Sequence, residues 1–197
     1  MINHYIRSTY PYIKRLIDIV VSATFLVCLL PAFLVLSIAV KLTSKGPAIF
    51  WSERVGYNGE LFSMPKFRSM TAYSKVMSRE VASEDDIELT PIGGFLRKSS
   101  LDEIPQLWSV LRGDMSLIGP RPLLSDEYSK ATRANYPEIY SVRPGITGLA
   151  QVNGRNFISP RNKSRYDTFY AERSCLWLDT KIAFQTVYAV LNSKNVM

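Results

Sequence analysis

Residues 19–40 form a run of 22 residues without one charged side chain. As a single helix the run would extend roughly 33 Å, enough to cross a bilayer hydrocarbon core of about 30 Å. It is too long for a signal-peptide core, and no small-residue cleavage site precedes its charged C-terminal flank. A buried helix of a soluble domain is the other way to house such a segment, but those are ordinarily shorter. Pro31 stands near the middle. It has no N–H to donate and its ring crowds the carbonyl of Val27, so a kink or break is expected there. Both flanks are basic: Arg7, Lys14 and Arg15 precede the run, and Lys41, Lys45 and Arg54 follow it. A simple span concentrates its basic residues on one side. A helix that bends at Pro31 and returns to the cytoplasmic face satisfies both flanks, and a kinked span satisfies the apolar length. From these residues alone the two remain open.

The rest of the chain bounds the chemistry. At 197 residues it suits one domain with attachments, and a composition 47% hydrophobic and 21% charged supports a packed core. The net charge of +7 calls for an anionic partner. Beside the apolar run, that points to lipid or a phosphorylated substrate and away from nucleic acid. Cys28 and Cys175 are too few for a disulfide framework, and Cys28 lies inside the apolar run. His4 is the only histidine. A histidine-dependent hydrolase triad and a His/Cys zinc site are therefore excluded as working readings. What remains is carboxylate, lysine, arginine and hydroxyl chemistry, with or without a hard cation.

Residues 48–51 and 60–64 read as short strands around the turn Gly56-Tyr57-Asn58-Gly59. Residues 72–90 are polar and mixed in charge, as in a surface helix or loop. Residues 104–111 read as a helix stopped near Gly113, and residues 127–140 as a second helical candidate. Residues 141–160 are rich in Gly, Pro and Asn and read as an ordered loop. Leu178, Ile182, Val187 and Leu191 recur at helical spacing in a final helix that packs on the core or lies at a lipid interface. The expected fold class is α+β and helix-rich. Residues 1–45 form the membrane-anchoring segment, and residues 46–197 a single small catalytic domain.

The strongest local feature is Ser100-Leu101-Asp102-Glu103-Ile104-Pro105. A capping box, with Ser100 as N-cap and Glu103 three residues on, is one reading. Pro105 opposes it, because it would then sit past the first turn, where its N–H is needed. If the helix starts at or after Asp102, Pro105 falls in the first turn and is tolerated. Asp102 and Glu103 then stand at a helix start, pointing about 100° apart. Two such carboxylates can divide two tasks, one attacking phosphorus and the other holding a divalent cation. Basic residues recur in loops stiffened or freed by Pro and Gly: Lys66 and Arg68, Arg121 in Gly119-Pro120-Arg121-Pro122, then Arg143 and Arg155. Guanidinium forks match phosphate oxygens, so the set leans towards a polyphosphate substrate. Asp167, in Tyr166-Asp167-Thr168-Phe169-Tyr170, adds a carboxylate or belongs to ordinary aromatic packing. Glu84-Asp85-Asp86 has the look of a metal-binding run but fits a solvated face better.

Taken together, several of these segments are specific. They are Lys14-Arg15 with Asp18, Pro31, Lys66-Phe67-Arg68-Ser69-Met70, the segment 100–107, Gly113-Asp114-Met115-Ser116-Leu117-Ile118-Gly119-Pro120-Arg121-Pro122, residues 143–156, and Tyr166-Asp167 with Tyr170. Through them the chain resembles the bacterial sugar transferase family, the monotopic phosphoglycosyl transferases that start glycan assembly on polyprenyl phosphate. The resemblance implies that Asp102 is the nucleophile that takes the phosphosugar and releases the nucleoside monophosphate. It implies that Glu103 is the ligand of Mg²⁺ and that Arg97 meets the polyprenyl phosphate. Lys66, Arg121, Arg155 and Asp167 match positions around the nucleotide-sugar phosphates, and Pro31 matches the break that makes the membrane helix re-entrant. Leu30 departs from the serine that family members often carry before this proline. Larger relatives have transmembrane helices ahead of this domain, and this chain is expected to do without them.

The function so implied is transfer of a sugar 1-phosphate from a UDP-sugar to undecaprenyl phosphate at the cytoplasmic face of the bacterial inner membrane. The partners are the two substrates, membrane lipid and downstream glycosyltransferases. A metal-dependent hydrolase of nucleotide-sugars or lipid pyrophosphates would use the same carboxylates. A non-catalytic membrane adaptor would explain the charge and the apolar run but not the carboxylate pair. No residue here names the sugar.

Overall fold

The computed structural model describes residues 2–71, 88–154 and 158–191. Helix α1 (Ile2–Cys28) is followed after one residue by α2 (Leu30–Thr43). Their axes differ by 63°. The bend centres on Leu29, whose φ of −89° and ψ of 0° leave the helical path. Leu29 N–H still donates to Phe25 O at 2.8 Å, and Phe33 N–H to Leu29 O at 2.8 Å. Pro31 therefore sits in the first turn of α2, where a missing N–H is harmless. The expected break is present, two residues before the proline. Among the described residues no single helix is long and apolar enough to cross a membrane, and one bent pair passes by length and composition.

Strands β1 (Ile49–Val55) and β2 (Leu61–Phe67) form an antiparallel ribbon with Ile49 opposite Phe67 and Val55 opposite Leu61. They run further than the expected segments. Pro65 is tolerated because both strands of a two-stranded ribbon are edges. The turn is where the sequence indicates, with Asn58 at φ 53° and Gly59 at φ 77°. Helices α3 (Gly93–Ser99) and α4 (Gln106–Arg112) follow, and Gly113 ends α4 at φ 99°, in the left-handed region that glycine occupies without strain.

The middle of the chain departs from the sequence reading in three places. The candidate helix over 127–140 is shorter: α5 (Glu127–Arg133) ends before Pro137, which opens a 3₁₀ turn over Pro137–Ser141. The expected loop over 141–160 holds β4 (Gly145–Thr147), which pairs in parallel with β3 (Ser116–Ile118), and then α6 (Leu149–Val152). Helix α7 (Pro160–Arg173) was not expected, although Ser159 caps it by accepting from Asn162 N–H and Pro160 begins it. Helix α8 (Leu176–Leu191) is the expected final helix. Most of the polar stretch 72–90, with Glu84-Asp85-Asp86, lies outside the described residues.

The largest core lies between the bent helices and the segment 96–107. Val40 packs with Phe67, Leu96, Ile104 and Leu107, and Leu29, Phe33 and Leu36 close it from α2 and the bend. The rings of Phe33 and Phe67 are 4.9 Å apart. Polar clamps add to this contact. Arg15 donates to the carbonyls of Val110 (2.5 Å) and Leu111 (2.8 Å) in the last turn of α4. Asp18, 3% exposed, accepts from Ser116 Oγ (3.1 Å) and Leu117 N–H (3.0 Å). Asp179 of α8 accepts from Tyr10, Lys14 and Tyr170. Lys14 and Asp18, one turn apart, thus face the domain together. The motif Lys14-Arg15 with Asp18 is the joint that fixes α1 to the domain carrying the carboxylates.

Candidate active site

Ser100 ends α3 with φ 57°, and its side chain caps nothing. The capping-box reading therefore does not describe this turn. Leu101–Glu103 form a single 3₁₀ turn, with Glu103 N–H donating to Ser100 O (3.2 Å) and Ile104 N–H to Leu101 O (3.3 Å). Pro105 follows, immediately before the first residue of α4, where it costs no hydrogen bond. Leu101 and Ile104 point into the core above α2. Asp102 and Glu103 turn the other way, towards β2 and the loop after β3.

The two carboxylates have different surroundings. Glu103 Oε1 accepts from Lys66 Nζ at 2.7 Å and lies 3.6 Å from Arg121 Nη2. Burial alone would raise its pKa. The charges of Lys66 and Arg121, with hydrogen bonds from Lys66 and Gln106, outweigh burial and hold it down to about 2. Asp102 is 8% exposed, and no described residue donates a hydrogen bond to its carboxylate. Burial raises its pKa, the neighbouring Glu103 raises it further, and Lys66, Arg97 and Arg121 only partly offset this. One carboxylate is thus a fixed anion inside a cationic ring. The other is a basic, unoccupied oxygen pair at its edge.

Residues 9–193 match the family model of the bacterial sugar transferases. The chain belongs to this family. It is 42% identical over 182 residues to a UDP-glucose:undecaprenyl-phosphate glucose-1-phosphate transferase of Klebsiella pneumoniae, covering 89% of this chain and 39% of that protein. It is 38% identical to an undecaprenyl-phosphate galactose phosphotransferase of Salmonella typhimurium, covering 96% of this chain and 42% of that protein. An uncharacterized sugar transferase of Bacillus subtilis is 41% identical, covering 93% of this chain and 90% of that protein. The chain thus spans about two-fifths of the length of the Klebsiella and Salmonella proteins and nine-tenths of the Bacillus one.

The other residues singled out by sequence occupy distinct places. Arg97 is exposed in the last turn of α3 and acts on Asp102 through its charge. Arg68 donates to the carbonyl of Lys45 and closes the connection between α2 and β1, away from Glu103. Arg143 donates to Gly113 O (2.7 Å) and lies over the ring of Tyr57. Arg155 lies outside the described residues. Asp167 is buried behind the cleft, 2% exposed, and pairs with Arg133 at 2.5 Å. Burial pushes its pKa up to about 6 against the pull of Arg133.

One basic residue of this cleft is not among those the sequence singles out. Arg54 was counted only as a charge flanking the apolar run. It lines the cleft with Lys66, Glu103, Gln106 and Arg121. Burial and the charge of Arg121 lower its pKa to about 10. The hairpin register holds the missing signal. Phe62 stands opposite Arg54 and Lys66 opposite Phe50, so Arg54 and Lys66 share a face of the ribbon.

Proposed function

We propose that this sugar transferase moves a sugar 1-phosphate from a UDP-sugar to a polyprenyl phosphate through an aspartyl intermediate. The observation that carries the reading is Asp102, buried and without a hydrogen-bond donor among the described residues, beside an anionic Glu103 ringed by Lys66, Arg121 and Arg54. The names of the Klebsiella and Salmonella relatives support both substrate classes. In the first step an Asp102 oxygen attacks the sugar-side phosphorus. The bond to the bridging oxygen breaks, and UMP leaves with the electron pair. In the second, an oxygen of the polyprenyl phosphate attacks the same phosphorus, and the Asp102 carboxylate is released. Lys66, Arg121 and Arg54 neutralise charge that grows on the phosphoryl oxygens.

Mg²⁺ fits this site in a limited way. Among the described residues no group of three His, Cys, Asp or Glu could cage a metal ion. Glu103 remains ionised, however, and an ion that keeps most of its waters needs only one or two carboxylates together with substrate phosphates. Glu103, with Asp102 beside it, would hold the ion, which would supply Lewis-acid stabilisation of the diphosphate. A panel of UDP-sugars assayed with undecaprenyl phosphate tests the reading. UMP and lipid-linked diphosphosugar should appear together for at least one sugar. Free sugar phosphate formed without lipid would point to hydrolysis instead.

We further infer that α1 and α2 enter and leave the membrane on the cytoplasmic side, with residues 1–45 as anchor and 46–197 as catalytic domain. Support comes from the 63° bend, the basic flanks, and apolar side chains left exposed, among them Val27 (73%), Val35 (66%) and Leu42 (82%). Ser8→Cys and Ser44→Cys, each in a background lacking Cys28 and Cys175, should both be labelled from the cytoplasm alone. Labelling from opposite sides would mean a full span. Pro31→Ala supplies the N–H that a continuous helix would donate to the Val27 carbonyl and removes the ring that would clash with it, so it should shift the segment towards spanning.

A further inference from the structure

The loop that carries Arg121 is tethered along its length, twice by an arginine side chain: Arg54 Nη1 donates to Pro122 O (3.4 Å), and Arg133 donates to the carbonyl of Arg121 itself. Gly119 N–H donates to Thr147 O (2.9 Å), and Pro120 O accepts from Gly145 N–H (2.9 Å). Leu123 O accepts from Val55 N–H (3.0 Å). These are strand-like backbone bonds. The prolines at 120 and 122 have no N–H to offer. At Arg121 the carbonyl accepts instead from a side chain, Arg133 Nη2, at 2.9 Å. The same nitrogen donates to Asp167 Oδ2 at 2.5 Å.

Arg133 is 4% exposed and Asp167 is 2% exposed, while Asp167 Oδ1 has no hydrogen-bond partner among the described residues. Burying an ion pair at this depth costs about as much in desolvation as its own attraction returns. The pair is therefore a poor source of stability. What it does provide is a fixed point on the Arg121 backbone, carried from α7 through α5. The Arg121 side chain is 51% exposed, so little else confines it, yet it ends 3.6 Å from Glu103.

We propose that Arg133 is a positioning residue that aims Arg121 at the reacting phosphates, with Asp167 holding Arg133 in place. The proposal rests on the transferase reading above and deepens it. Asp167 then acts on the nucleotide-sugar through Arg133 and Arg121 rather than by touching it. A displacement of about 1 Å in a positioning group costs on the order of 100-fold in rate, and loss of one charge-stabilising donor costs about 10²–10³-fold.

The test is a double-mutant cycle on the full chain in detergent micelles, using Arg121→Ala, Arg133→Lys and the pair. UMP release gives kcat and KM per folded enzyme, and titration with UDP gives a readout independent of turnover. Arg133→Lys should lower kcat by about 10-fold or more and weaken UDP binding by about threefold or more, because Arg121 meets the diphosphate in the bound state as well. On the Arg121→Ala background it should cost nothing further, in rate or in UDP affinity. Losses that multiply, or a kcat per folded enzyme unchanged by Arg133→Lys, would overturn the proposal. If Arg133→Lys does not fold, Arg133→Gln with Asp167→Asn removes both buried charges and enters the same cycle with the same expectation. Absence of UMP release by the unaltered chain would contradict the transferase reading, and the UDP-affinity cycle would still decide the role of Arg133.

Discussion

Asp102→Asn is expected to reduce phosphosugar transfer by about 10⁴-fold or more, the scale at which loss of a nucleophile acts, while the fold survives. Asparagine keeps the shape of the side chain and removes the attacking charge. The stability consequence has a definite sign. Burial places the folded-state pKa of Asp102 above its unfolded value, so the folded chain holds that proton more tightly. The ionised group therefore opposes folding at neutral pH, and its contribution to stability falls as pH rises through the carboxylate range. Replacing it with a neutral side chain should leave the thermal midpoint unchanged or raised. A midpoint that drops together with activity would mean that Asp102 supports the fold. Activity near that of the unaltered chain would remove it as nucleophile.

Glu103→Gln should act through both rate and stability. Its carboxylate is the anion that Lys66, Arg121 and, at longer range, Arg54 are arranged around. Without it these cations lose their counter-charge in a partly buried cleft, at a cost of about 2 kcal/mol once partial exposure is allowed for. Transfer should fall by about 10²–10³-fold, as for loss of a preorganised electrostatic group. Here the linkage runs opposite to that of Asp102. A pKa held down to about 2 means that Glu103 stabilises the fold above its ordinary pKa near 4.5, and that this is lost as pH falls towards 2. The acid limb of the stability profile should therefore flatten in Glu103→Gln. Chelation with EDTA should abolish transfer by the unaltered chain, with Mg²⁺ restoring it. Full activity in EDTA would remove the ion from the chemistry, and an unchanged acid limb would contradict the ring of cations.

What could be read beforehand divides along physical lines. The helix break, the hairpin turn and the stop at Gly113 were legible because Pro31, Asn58-Gly59 and Gly113 restrict or free the backbone locally. The meeting of Asp102 and Glu103 with Lys66 and Arg121 was legible only as short motifs, since hydrophobic packing brings together residues far apart in the chain, Lys66 and Glu103 being 37 positions apart. The parallel pair β3 and β4 was invisible because three-residue strands carry no alternation to detect. Helix α7 was missed for a different reason. Its buried positions Ser164, Asp167 and Tyr170 recur at helical spacing but two of them are polar, so no apolar stripe marks the face. Arg133 gave no sign, because a buried arginine is spelled like an exposed one. Asp18 and Lys14 lay in a recognisable motif whose mechanical sense needed the partners Ser116, Leu117 and Asp179.

A covalent relay has a stoichiometric signature. Enzyme mixed with a UDP-sugar substrate and Mg²⁺, in the absence of lipid, should release UMP up to about one equivalent and then stall. The intact protein should gain the mass of a phosphosugar, Asp102→Asn should not, and undecaprenyl phosphate should discharge the adduct. UMP that appears only when both substrates are present, with no adduct under rapid quench, would contradict the aspartyl intermediate.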